Sequence, residues 1–291
     1  MRITDLPELS TENLAMDDVV VVDHNTGNGI ETRRMTVSDL LEGLNASCLF
    51  GLTDTEMISA IKNSRPHGIC LGDTLIAAQA VAIAAGTFEG ICLGDYWLKD
   101  GIHWRVCGFN YWYKTGSPAC MTPHVVIMPD EALYQTTMEA TNTTENGYAN
   151  SAMRKTGLAQ AKSIITAMFG AEHLLTHQEY LISAAEDGEA TKYDKFDCGV
   201  ELPSETMMYG GYIFSPANSM RSHVNRYTTS KTQLPLYGVC PSLITVINGA
   251  FWLRDLTSSG NFAYVDSEGT ASDRPAGVGY DCGVRPVFGL M

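Results

Sequence analysis

Phe251-Trp252-Leu253-Arg254-Asp255, Phe262-Ala263-Tyr264-Val265-Asp266-Ser267-Glu268-Gly269 and Gly283-Val284-Arg285-Pro286-Val287-Phe288 follow one another in that order near the end of the chain. Each is strand-sized, and strands are expected at Ala250–Leu253, Phe262–Asp266 and Gly283–Leu290. Trp252 and Leu253 belong in a core, while Arg254 needs an acidic or carbonyl partner. Gly269 supplies a turn between strands. Pro286 cannot donate to a sheet ladder, so Arg285-Pro286 belongs at an edge or a bulge. These are scaffold roles, which leave any binding face to the loops between the segments.

Working outward, Asp95–Leu98 and His103–Val106 read as short strands joined by a turn at Lys99-Asp100-Gly101, and His124–Met128 as a buried strand stopped by Pro129. The aromatics Trp97, Trp104, Tyr111, Trp112 and Tyr113 are mostly expected in the core. Two helices are expected in the middle, a weak one over Ser151–Leu158 and a strong one over Leu158–Phe169 stopped by Gly170. Asp197–Tyr212 reads as strands and turns, and Ser215–Lys231 as a long polar surface loop.

Nearer the start, Val19–Asp23 and Glu31–Met35 flank an Asn/Gly turn, so residues 1–45 read as a hairpin followed by a short helix from Thr36 or Ser38. Such a module is too small to be stable alone and needs a partner surface. Residues 46–89 read as a mainly helical connector, with helices opening at Asp54 and Asp73, and with Ala77–Ala85 suited to close packing on another backbone. The hexapeptide Gly-Ile-Cys-Leu-Gly-Asp occurs at Gly68–Asp73 and again at Gly90–Asp95. Two copies do not make a solenoid, and they read as duplicated strand-then-turn segments.

The formal charge of −14 argues against nucleic acid as a partner, because phosphate binding needs clustered Lys and Arg. No apolar run is long enough for a membrane helix, and the first residues do not read as a secretory signal. The eight cysteines are dispersed among apolar neighbours without a Cys-x-x-Cys pair, so buried reduced thiols are expected rather than disulfides or zinc. His173 and His177 are four apart, but Leu174 stands where a zinc protease carries its general base, so two solvated helix positions are expected. Asp255, Asp266, Glu268, Asp273 and Asp281 are spread over three segments and read as turn residues rather than a calcium loop. No nucleophile elbow or phosphate-binding glycine pattern is present, and no metal or cofactor is expected.

Taken together, the three terminal segments resemble an uncharacterised C-type-lectin-like family widespread in gut bacteria and their phages. That family is more distantly similar to the formylglycine-generating enzyme and to phage tropism determinants. Gly94–Trp97, Trp104–Phe109, Gly157–Lys162 and Lys231–Leu236 resemble the phage-borne branch, so the likeness spans roughly residues 90–291. Ile3–Leu9, Asp17–Asp23 and Met35–Leu40 resemble the start of phage fibre or decoration proteins. The catalytic cysteines of the formylglycine-generating enzymes have no identifiable match.

The resemblance implies an α+β chain: an N-terminal virion-attachment module (1–45), a helical connector (46–89) and a C-type-lectin-like domain (90–291). Trp104, Trp252, Leu253, Arg254, Tyr264, Gly269, Arg285 and Pro286 would be its fold-core signature. Ligand contacts are expected on the loops at Ser215–Lys231, Thr257–Asn261 and Thr270–Cys282. The candidates there are Asn218, Arg221, His223, Arg226, Tyr227, Asp273, Arg274 and Tyr280. The implied protein is a non-enzymatic head fibre, tail fibre or decoration protein, assembled in the host bacterial cytoplasm into the virion. A homo-oligomer, with a trimer favoured, would contact other virion proteins through the N-terminal module and a host-surface or mucosal glycan or protein through the lectin-like domain. The alternatives are a decoration protein without a receptor and an oxidase of the formylglycine type, which loss of an associated oxidation on joint mutation of Cys198, Cys240 and Cys282 would be needed to support.

Overall fold

Apolar residues recurring along Ile102–Phe109 and running unbroken through Val125–Pro129 build the centre of a sheet, because one strand is mostly buried and the other wholly so. A computed structural model describes residues 19–25, 30–36, 54–215, 232–245 and 249–291. Strands outweigh helices, at 32% against 23%, in a mixed α+β arrangement. Two compact units are present, residues 1–57 and 58–291.

In the first unit, β1 (Val19–Asn25) and β2 (Ile30–Thr36) form an antiparallel hairpin running from Val19 opposite Thr36 to Asn25 opposite Ile30. The helix expected after Thr36 lies outside the described residues.

The second unit holds two main sheets. In the four-stranded one, β3 (Tyr96–Lys99), β4 (Ile102–Phe109) and β5 (Val125–Pro129) are joined by β13 (Phe288–Leu290), in the order β13-β5-β4-β3. Asp100 and Gly101 both take positive φ, which gives the tight β3–β4 turn the twist that its strands require. The five-stranded sheet runs β11 (Ala271–Pro275), β10 (Asn261–Val265), β9 (Phe251–Leu256), β12 (Cys282–Gly283) and β6 (Gln135–Thr136). Helix α3 (Ala159–Phe169) buries Ala161, Ile165 and Phe169. The Phe169 ring meets Trp97, Trp104 and Phe288 at centroid separations of 5.7, 5.9 and 5.6 Å. Full burial of side chains this large contributes about 1.5–3 kcal/mol each.

Residues 284–287 cross from β12 in one sheet to β13 in the other, and the buried Arg285 sits on that crossing. Its guanidinium donates to the carbonyls of Pro129 (2.7 Å), Ile244 (2.9 Å) and Leu243 (3.1 Å), between the rings of Phe251 and Tyr237. Carbonyl dipoles and ring faces thus replace water around the cation. Pro286 falls outside both strands, so its missing donor breaks no ladder.

Several elements depart from the sequence-based expectations. Residues 58–89 fall in the same compact unit as the sheets. Within that unit Lys62, in the last turn of helix α1 (Asp54–Asn63), donates its ammonium to Phe88 O and Ile91 O. Helix α2 (Ala77–Ala84) starts four residues later than expected, after Gln79 closes back on the backbone of Ile76. Of α2, Ala82 and Ile83 are buried. Neither hexapeptide copy is a strand; their segments meet in two isolated parallel bridges, Leu93 with Pro66, which precedes the first copy, and Cys70 with Tyr96, which follows the second.

The hairpin of β7 (His177–Glu186) and β8 (Glu189–Cys198) was not legible as strands. His177 is consequently buried at a strand start, and His173 ends a short 3-10 turn (Ala171–His173); the two do not share a helix face. The expected weak helix is a wide π turn at Met153–Gly157, and Asp197–Tyr212 contains helix α4 (Glu205–Tyr209). Residues 270–282, expected as a loop, contain β11. Of the seven described cysteines, all free, Cys107, Cys198 and Cys282 are buried, whereas Cys70 is exposed.

Candidate functional site: a polar cleft on the C-terminal sheet

The β10–β11 hairpin builds the cleft. Between these strands Asp266 accepts the backbone N–H groups of Glu268 and Thr270 on one carboxylate oxygen, both at 2.9 Å, which folds the turn on itself. Gly269 takes φ +83° there, and a Cβ would come within 2.7 Å of Thr245 Oγ1, so the turn requires glycine. Tyr264 is opposite Ser272, and Arg274 is two residues further along β11. That diagonal lies within reach of long side chains, and the guanidinium stacks 4.6 Å from the Tyr264 ring centre. Arg274 Nη1 also donates to Asp281 O at 2.8 Å, fastening the segment after β11 to the strand.

The resulting cavity of about 390 Å3 is lined by Gln135, Tyr264, Asp266, Ser267, Arg274 and Asp281, together with Ala250 and Cys282. It offers carboxylate acceptors, a guanidinium fork, two hydroxyls and an amide. These groups suit a hydroxyl-rich or otherwise polar ligand held by several hydrogen bonds. Burial pushes the Cys282 thiol up to about 11, against a smaller opposing pull from Arg274, so the sulfur stays protonated near neutral pH. Among the described residues, the terminal acids do not converge with other ligand types to enclose an ion.

Of the ligand candidates read from the sequence, Arg274 lines this cleft. Asp273 instead accepts Asn261 Nδ2 at 2.6 Å, and Tyr280 is exposed at 43%. Asn218, Arg221, His223, Arg226 and Tyr227 lie outside the described residues. Among the expected core residues, Trp104, Trp252, Leu253, Arg254 and Arg285 are buried, whereas Tyr264 is half-buried and faces the cleft. Gln135, Ser267 and the carboxylates of Asp266 and Asp281 were not anticipated as cleft residues, because only the pairing of β12 with β6 brings Gln135 alongside them.

A buried ionic chain lies in the same unit. Arg254 Nη2 donates to Glu179 Oε2 at 2.7 Å, and the other oxygen of Glu179 is 2.9 Å from His177 Nε2. Burial alone would raise the Glu179 carboxyl, but Arg254 and His177 outweigh it and hold the group well below the usual range. Glu201 pairs with Arg154 and accepts from Tyr148. Glu205 gathers the backbone N–H groups of Ile213, Phe214 and Ser215. Asp255, expected in a turn, is buried on β9 and accepts from Glu205 N. Burial and the Glu205 carboxylate push it up to about 7, against the pull of Arg254. These carboxylates are occupied by internal partners, so the chain fastens β7, β9 and α4 rather than reaching a ligand. The sequence signal was a charged pair, Arg254-Asp255, inside an apolar strand, although nothing local identifies Glu179 or Glu205 as partners.

Comparison with protein-family models, curated proteins and solved structures gives no match for this chain.

Proposed function

We propose that this chain is a phage virion protein whose C-terminal unit is a C-type-lectin-like binding domain without enzymatic activity. The N-terminal module attaches it to the particle, and a homo-oligomer, most simply a trimer, displays the domain outward. The observation that carries the binding reading is the polar cleft between Tyr264, Arg274, Asp266 and Asp281, of which Tyr264 and Asp266 come from the second of the terminal segments that bear the family resemblance. Its ligand is a glycan or polar protein feature of a host or mucosal surface, because the lining offers many hydrogen-bonding groups and little apolar wall. The protonated thiol of Cys282 and the desolvated thiol of Cys198, raised well above its ordinary range, argue against an oxidase that needs a reactive thiolate.

Purified protein applied to glycan arrays and host cells should bind, and Arg274→Ala should weaken that binding about tenfold or more, the loss of a charge-assisted contact worth about 1.5–3 kcal/mol. Equal binding by the variant would remove the cleft from the reading. Mass spectrometry of purified particles should find the chain; particles lacking it would end the virion assignment. Silence on every surface, together with particle instability on deletion, would favour decoration without a receptor.

A further inference from the structure

We propose that His67, Cys92 and Asp95 form a binding site for a divalent transition-metal ion of the zinc class. One ligand atom from each, an imidazole nitrogen, a thiol sulfur and a carboxylate oxygen, lies within 4.8 Å of the other two. This set is independent of the cleft and of the reading built on it.

The geometry grows from the duplicated hexapeptide. In the second copy Asp95 N donates to Cys92 O, and Gly94 between them has φ +84°. This is a tight turn with glycine at its third position, and it brings residues i and i+3 together. Cys-x-x-Asp on such a turn presents two metal-binding side chains as Cys-x-x-Cys does in zinc sites. The first copy runs alongside through the Pro66–Leu93 and Cys70–Tyr96 bridges, and His67 N donates to Leu93 O at 2.7 Å. His67, the residue just before the first copy, is thereby brought over the turn of the second, with Nδ1 at 3.3 Å from Asp95 Oδ1. An N···O edge of about 3.3 Å is what a tetrahedral ion with bonds near 2.0 Å requires.

Asp95 is held in advance. It is 1% exposed, and its two oxygens accept Ile69 N and Cys92 N, each at 2.8 Å. Carboxylates fixed by such outer bonds make better ligands than free ones. The His67 side chain is 53% exposed, so an ion can enter from solvent and keep a water in its fourth position. Lys62 Nζ stands 4.0 Å from Cys92 Sγ, anchored by the Phe88 and Ile91 carbonyls, and the sulfur has lone pairs for both the ammonium and an ion. The first copy has the same Cys-x-x-Asp spacing in Cys70 and Asp73, but both are exposed, and no histidine is grouped with them among the described residues. Glu89 occupies, before the second copy, the place that His67 has before the first.

An ion bound here would staple the 66–72 segment to the turn that leads into β3, and its binding would release the thiol proton. The test uses the full chain, chelator-stripped and reduced, titrated with zinc against a chromophoric competitor and separately with cobalt. One zinc per chain is expected, with a sulfur-to-cobalt charge-transfer band. Cys92→Ser should abolish the band, and Cys92→Ser and His67→Ala should each weaken zinc by more than about 100-fold. Cys70→Ser should change neither. Should Cys92→Ser fail to fold, the solvent-facing His67→Ala decides. No stoichiometric uptake, or uptake indifferent to His67→Ala, would overturn the site.

Discussion

Asp255 and His124 show how burial sets single residues against their solution chemistry. His124 accepts Trp112 N on Nε2 and lies 2.8 Å from Thr122 O through Nδ1, so the neutral tautomer carries its proton on Nδ1. Burial, aided by His177, holds it down to about 3, so its contribution to stability is lost as pH falls below the ordinary histidine range. Asp255 has the opposite sign. With its carboxyl pushed up to about 7, the folded chain keeps a proton that the unfolded chain has shed, and stability from this group is lost as pH rises through about 7. Asp255→Asn keeps an acceptor for Glu205 N and removes the titration. Relative to the parent, the variant should therefore gain stability between about pH 4 and about pH 8, by at most about 1.4 kcal/mol per pH unit. Urea unfolding across that range checks this, and a constant difference would contradict it. Because His124 is common to both chains, it cancels from the comparison.

At the scale of elements, the β7–β8 hairpin illustrates why some structure was hidden from the sequence. Residues 177–186 carry His, Gln, two Glu and Ser among their apolar residues, so strand alternation is blurred. Asp187 and Gly188, with φ +50° and +83°, form its two-residue turn. That tip is inserted against the β9–β10 loop: a Cβ on Gly188 would come within 2.6 Å of backbone atoms of Ser258 and Ser259. Gly188→Ala therefore meets both a disfavoured φ and a rigid wall. It should lose about 2–4 kcal/mol in equilibrium unfolding, whereas Gly279→Ala, where the same φ sign meets open space, should lose about 1 kcal/mol. Equal losses at the two sites would mean that the hairpin tip is not pressed on Ser258.

The whole molecule carries a net charge of −14, so its folded form is under like-charge repulsion. Raising ionic strength shortens the screening length, to about 8 Å near 0.15 M, and should raise the melting temperature before specific-ion effects enter. A melting temperature that falls over the same salt range would show that attractive ion pairs outweigh the repulsion. No described helix is long and apolar enough to cross a membrane. The sequence by itself determined the β1–β2 and β3–β4 hairpins, β5, β9, β10 and the strong helix α3, because their apolar period, turn glycines and prolines act over a few residues. It also marked Arg254 as needing a partner and Arg285-Pro286 as lying at an edge or bulge. Only the tertiary structure decided the partners of the two guanidinium groups: Glu179 from 75 residues away, and the carbonyls of Leu243, Ile244 and Pro129. It alone also set Tyr264 and Gln135 in one cleft and His67 over the turn of a second hexapeptide. Long-range pairing of β12 with β6 and β9, and the bridges between the repeats, create those neighbourhoods, and no local preference encodes them.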